Sequence, residues 1–167
     1  MLLLGSKTTI RFRAFSVIKM TEIRKLVKED ISAVAEIERL CFDEPWSENS
    51  LMLLLEEKNA GFVALIDGRV VAYGGVVTVL DEGQITNVAT HPSFRRLGLA
   101  RSVMDAIDAF CIERDIVYLS LEVRQMNGAA RSLYSSLGWR EAGIRKNFYS
   151  KPTDNAVVMI KELLKGN

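Results

Sequence analysis

Apolar positions change their period along the chain, and each change marks a structural element. Ile23 to Val27 reads as a short strand, and behind it Ile31, Val34, Ile37 and Leu40 or Cys41 recur at helical spacing. Asp30 is placed to cap that helix. Pro45 stops it, and Ser47 opens a second helix carrying Leu51, Leu54 and Leu55. Two β-rich runs follow, Phe62 to Ile66 and Arg69 to Leu80, joined by Asp67-Gly68, a dipeptide suited to the positive φ angles of a tight hairpin turn. Gly74-Gly75 inside the second run predicts a bulge or a close backbone approach. A third run, Gly83 to Thr90, leads directly into His91-Pro92.

From Leu99 the period returns to that of a helix, with Val103, Met104, Ile107, Phe110 and Cys111 on one stripe and Arg101, Asp105, Asp108 and Glu113 opposite. Ile116 to Val123 alternates, so that Val117, Leu119, Leu121 and Val123 share a face while Tyr118, Ser120 and Glu122 share the other. Strand, loop, helix and strand in this order form a crossover unit and predict parallel strands. Asn127 caps a further helix with Ala130, Leu133, Tyr134 and Leu137 on one stripe and Gly138 at its stop. Trp139 to Tyr149 and Ala156 to Leu164 complete the order as two strands. The succession predicts one mixed α/β domain over residues 21–167.

Composition adds exclusions. The chain has 167 residues, 49% hydrophobic and 26% charged, which suits one globular core. With 22 Lys and Arg against 21 Asp and Glu, no overall field favours nucleic acid or an acidic membrane, so any anion site is local. Cys41 and Cys111 are far apart and His91 is the sole histidine, a pattern that predicts no metal site and reduced thiols of a cytoplasmic protein. Residues 1–20 differ in kind: Lys7, Arg11, Arg13 and Lys19 stand there with no acid before Glu22. Leu2 to Leu4 is too short for a signal-peptide core or a membrane span. The segment is expected to be an extension outside the domain, with an organelle transit peptide as the other reading.

The candidate chemistry begins at Arg95-Arg96-Leu97-Gly98-Leu99-Ala100-Arg101, between a strand and the longest amphipathic helix. The first turn of a helix has N–H groups without intrahelical acceptors and the positive end of the helix dipole. Gly98 lets a phosphate approach the backbone, and Arg96 and Arg101 supply charge-assisted hydrogen bonds. The chain lacks the spacings of a P-loop, a dinucleotide fingerprint and a nucleophile elbow.

Arg95-Arg96-Leu97-Gly98-Leu99-Ala100 fits the acetyl-CoA signature of the GNAT superfamily of N-acetyltransferases: Arg or Gln, two residues, Gly, one residue, Gly or Ala. Residues 22–164 resemble that superfamily, nearest to its ribosomal-protein-alanine N-acetyltransferases of the RimI type. Glu44-Pro45-Trp46-Ser47, Asn87-Val88-Ala89-Thr90, Leu121-Glu122-Val123-Arg124, Asn127, Leu133 to Trp139 and Ile144 to Tyr149 carry the resemblance in order. It implies a GNAT fold, a single mixed central sheet with helices on both faces. It further implies that the backbone of Val88, Ala89 and Thr90 holds the pantetheine arm of acetyl-CoA and that Arg96, Leu97, Gly98, Leu99, Ala100 and Arg101 hold the pyrophosphate. Asn127 would contact the cofactor near the thioester. Ala100 replaces the commoner second glycine, and Thr90-His91 stands where Val-Asp is frequent.

An amine attacks a thioester only when unprotonated, and the departing thiolate benefits from a donor. Glu122, on an apolar strand where partial desolvation favours proton uptake, suits the first task. Tyr134 suits the second; its place on an apolar stripe equally fits a core tyrosine, and the resemblance decides for general acid. At pH 7 deprotonating an α-amine costs roughly 1 kcal/mol against about 4.6 for lysine, so a modest base fits an N-terminal acceptor. Trp46 and Tyr149, in Pro45-Trp46 and Asn147-Phe148-Tyr149, would wall a peptide groove, and the implied partner is the N-terminal alanine of a small-subunit ribosomal protein. Transfer is expected to be direct, neither cysteine lying beside the thioester site. A small-molecule amine, a lysine side chain and a non-catalytic acyl-CoA-binding module are the alternatives.

Overall fold

The computed structural model describes residues 21–163, so the expected extension 1–20 and the final residues 164–167 lie outside the described residues. The chain runs β1 (Thr21–Lys25), α1 (Ile31–Cys41), the single turn α2 (Glu48–Leu51), β2 (Ala60–Ile66), β3 (Arg69–Val79) and β4 (Glu82–Thr90). It continues through α3 (Leu99–Glu113), β5 (Tyr118–Arg124), α4 (Gly128–Ser136), β6 (Arg140–Ser150) and β7 (Thr153–Glu162). The predicted order holds, with most element ends moved by up to three residues; the second helix is α-helical only to Leu51 and continues over Met52–Leu55 as a 3-10 turn.

All seven strands form one mixed sheet in the order β1-β2-β3-β4-β5-β7-β6. Alternation along the strands sends side chains to two faces, each covered by helices. Ala60, Ala64, Ala72, Val76 and Ile85 pack with Leu99, Val103, Met104 and Ile107 of α3 and with Tyr134 of α4. Val63, Leu65, Tyr73 and Ala89 face the other way, onto Ile31, Val34, Ala35 and Ile37 of α1 and Leu51 of α2. On α1 it is Cys41, not Leu40, that continues the inward stripe, since Leu40 is half exposed.

One local expectation changes, and the one at Gly74-Gly75 is met. Asp30 sits at the start of α1, yet its side chain does not cap the helix. It turns back to accept from the Val27 N–H at 2.9 Å and from both Arg24 Nη atoms at 2.7 and 3.0 Å. A nearby guanidinium offers a carboxylate a stronger, charge-assisted bond than a helix N–H does. At Gly74-Gly75 the extra residue lies on the partner strand: Gly74 pairs with Val88 and Val76 with Ile85, so Thr86 and Asn87 bulge out of β4 opposite Gly75. A Cβ on Gly75 would stand 2.6 Å from Thr86 Oγ1 and 2.7 Å from Leu54, which is why no side chain fits there.

The crossover from β4 through α3 to β5 produces the predicted parallel pair, but only Glu82, Gly83 and Gln84 pair with Tyr118, Leu119 and Ser120. Beyond those three residue pairs β4 follows β3 as far as Thr90, and β5 follows β7 as far as Arg124. The middle of the sheet therefore splits. Among the described residues, no helix is long and apolar enough to cross a membrane.

Candidate active site

The split opens into a cleft of about 760 Å3, with β4 and β5 as its inner edges. Six of the predicted site residues line it: Trp46, Val88, Glu122, Asn127, Tyr134 and Tyr149. Ala89 of β4 is buried in the core against the α1 side, and Thr90 at the strand's end and residues 96–101 in the continuation beyond it lie outside the lining.

That continuation has the form of an anion cradle. Gly98, at φ +75°, takes the left-handed conformation immediately before α3, and a Cβ there would meet nothing within 4 Å, so the space over the turn is open. Arg96 also has positive φ, at +64°. The N–H groups of the first turn of α3 have no acceptor within the helix and aim toward this space. The side chains divide the work unevenly. Leu99 is buried in the core, so only its backbone belongs to the cradle. Arg101 Nη2 donates to Ser136 Oγ at 2.8 Å, which ties the start of α3 to the end of α4, and Arg96 is exposed. The open turn at a helix start, with Arg96 beside it, suits an anion such as a phosphate.

Glu122 projects from β5 with its side chain 15% exposed. Its surroundings are more polar than an apolar strand suggests: Oε2 accepts from Gln84 Nε2 at 3.0 Å, and Arg145 lies 3.7 Å from Oε1. Gln84 occupies the last paired position of β4, so the carboxylate is anchored at the vertex of the split. Tyr134 is packed in the core with its ring 6.0 Å from that of Trp139 and also lines the cleft. Burial pushes its phenol up to about 12, so it keeps its proton. Asn127 caps α4 by accepting from Ala130 N at 3.1 Å, as the sequence predicts.

At the opposite mouth, Trp46 is half buried in the corner between α1 and α2, and Tyr149 lies at the end of β6 with the Arg124 guanidinium 4.3 Å over its ring. Burial pushes the Tyr149 phenol upward against the pull of Arg124. The two walls are joined, since Ser150 Oγ donates to Glu44 Oε1 at 2.8 Å. One expectation is corrected here. Cys111 is fully buried, but Cys41 does line the cleft, where its Sγ donates to Thr90 O at 3.3 Å. Burial raises its thiol, which works against a nucleophilic thiolate.

The sequence reading missed Glu38. This glutamate of α1 is fully buried, and its carboxylate accepts from Tyr73 O–H, from Asn87 Nδ2 at 3.0 and 3.2 Å, and from Trp46 N at 2.8 Å. One side chain thus fixes α1, β3, the β4 bulge and the Trp46 corner. Its signal was its position: four residues after Val34 and three before Cys41, a charged group on the apolar stripe.

Comparison with known proteins agrees with this arrangement. The pattern of the Acetyltransferase (GNAT) family matches residues 31–139. The chain is 35% identical over 144 residues to the [ribosomal protein bS18]-alanine N-acetyltransferase of Escherichia coli (strain K12), covering 84% of this chain and 96% of that protein. It is 37% identical over 139 residues, 82% of this chain and 92% of the relative, to a Bacillus subtilis (strain 168) protein provisionally given the same name. The crystal structure of the ribosomal-protein-S18-alanine N-acetyltransferase from Escherichia coli superposes with a TM-score of 0.81 at 32% identity, covering 89% of this chain and 97% of that one.

Proposed function

The chain belongs to the acetyltransferase (GNAT) family and is an N-acetyltransferase; from that premise we propose that its acceptor is the N-terminal alanine of the small-subunit ribosomal protein bS18, acetylated by direct transfer from acetyl-CoA. The observation that carries this reading is the position of Glu122 and Tyr134 on one cleft at the split between β4 and β5, with Trp46 and Tyr149 at its outer mouth. Acetyl-CoA supplies the activated acetyl group. The free edge of β4 at Val88 to Thr90 receives its pantetheine arm, and the Gly98 turn with Arg96 and Arg101 receives its phosphates.

Glu122 accepts a proton from the incoming amine as the amine nitrogen bonds to the acetyl carbon. Tyr134 gives its proton to the coenzyme sulfur as the carbon–sulfur bond breaks, and the amide and the thiol leave. Tyr134 carries its proton at neutral pH, and because burial makes the phenol a weaker acid, contact with the developing thiolate has to drive the transfer. Direct transfer agrees with both cysteines: Cys111 is out of reach in the core, and Cys41 is held as a thiol against the Thr90 carbonyl. Trp46 and Tyr149 line the same cleft as Glu122, which suits an acceptor that reaches in as a chain end.

The test is acetylation of a peptide carrying the bS18 N-terminus, with the modified nitrogen located by mass spectrometry. Acetyl on the α-amine of alanine is the expected result. A protein that ignores this peptide and readily acetylates a small-molecule amine or a lysine side chain would overturn the substrate.

A further inference from the structure

Glu38 determines which end of the Asn87 side chain faces the cleft. Tyr73 O–H and Trp46 N–H already donate to its carboxylate, and Asn87 completes the set by turning Nδ2 toward both carboxylate oxygens. A carboxylate oxygen accepts, so the amide cannot present its own oxygen there without placing two acceptors together. Asn87 Oδ1 is left with no hydrogen bond among the described residues, yet it is not among the buried unpartnered atoms, and Asn87 lines the cleft. The bulge at Thr86 and Asn87 puts this residue at the split, three residues past Gln84, whose amide holds Glu122. An oriented, unpartnered acceptor therefore opens onto the space where the amine is to lie.

We propose that Asn87 Oδ1 holds the attacking amine by one N–H and that Glu38 is the positioning residue that keeps this oxygen turned to the cleft; the inference rests on the acetyl transfer proposed above. A neutral primary amine has two N–H bonds. One proton goes to Glu122 as the carbon–nitrogen bond forms, and the other remains on the product amide. Asn87 accepts from the one that remains, which turns the nitrogen lone pair toward the acetyl carbon and gives no proton to Asn87.

This division makes the enzyme sensitive to the number of N–H bonds on its acceptor. The experiment compares kcat/KM for a bS18 N-terminal peptide with that for the same peptide carrying N-methylalanine, in the wild-type protein, Asn87→Ala and Glu38→Gln. Wild type is expected to prefer the primary amine by about tenfold, the worth of one hydrogen bond of roughly 1.4 kcal/mol. Asn87→Ala is expected to lose that preference by slowing only the primary amine, with the KM for acetyl-CoA unchanged. Glu38→Gln, which allows the Asn87 amide to turn over, is expected to do the same. Equal losses on both peptides, or a preference that survives Asn87→Ala, overturn the role of Asn87.

Glu38→Gln disturbs a buried group, so the positioning claim has a second measurement that needs no variant. Side-chain amide hydrogens of Asn87 in the wild-type protein are expected to exchange slowly with solvent, and rapid exchange overturns it. If wild type acetylates only a small amine, the bS18 assignment fails, and the same comparison with that amine and its N-methyl derivative decides on Asn87. Failure to acetylate any amine overturns both.

Discussion

The two ends of the cleft are built differently. The end proposed for acetyl-CoA is made of consecutive residues, from Val88 on β4 through the Gly98 turn into α3, and its proposed contacts are chiefly backbone groups. The end proposed for the acceptor is assembled from side chains of distant segments, the Trp46 corner, Asn87 and Phe148-Tyr149, and held together by Glu38 and the Glu44–Ser150 hydrogen bond. A backbone site survives substitution of its side chains, so one donor can be kept while the other end changes. A side-chain site has no such tolerance, and under the proposed assignment that is where the choice of acceptor resides.

The largest effect is expected where the two ends meet. Tyr134→Phe removes one hydroxyl from a packed ring and should lower kcat by about 100-fold or more while leaving both KM values nearly unchanged. Steady-state kinetics with each substrate varied would show it; a loss confined to the KM of acetyl-CoA would move Tyr134 to the donor end. A reciprocal pair of variants then separates the ends. Trp46→Leu should raise the KM of the acceptor about tenfold, the effect of roughly 1.4 kcal/mol of lost contact, and spare that of acetyl-CoA. Gly98→Ala should do the opposite, by up to about fivefold, because a side chain at positive φ costs on the order of 1 kcal/mol and the turn relaxes away from its phosphate-binding shape. Crossed results, each variant affecting the other substrate, would break the comparison.

The smallest effect is on stability in alkali. The phenol of Tyr134 is pushed up from 10 to about 12, so between those values the folded chain keeps a proton that the unfolded chain has released. Its contribution is complete below about pH 10 and is lost as pH rises through about 12. Tyr73 and Tyr149 are raised as well. The measurement is therefore the difference between wild type and Tyr134→Phe in urea midpoints from pH 9 to 11, with wild type losing more.

Legibility in the sequence followed the same division. Contiguous features were readable: the order of elements, the crossover and the Gly98 turn each depend on neighbours in the chain, and period and turn chemistry report those. Glu122 and Tyr134 could be picked out as candidates, but their shared cleft depends on β4 and β5 parting after three residue pairs, a tertiary fact with no local mark. Asp30 was misjudged because its side chain found Arg24, six residues back and brought close by a turn. Glu38 was overlooked because its partners come from α1's own corner, β3 and β4 together, although an acid on an apolar stripe was the sign of such a network.

The short parallel seam between β4 and β5 also bears on association between molecules. An unpaired strand edge is a template for another chain, and proteins usually blunt it at the rim of the sheet. Here two such edges face each other inside the sheet, each backed by a fully paired neighbour and roofed by side chains of α1 and α4. Under the proposed assignment a narrow chain of amides enters this seam from its end, and the edges left to a second copy are those of β1 and β6 at the rims of the sheet.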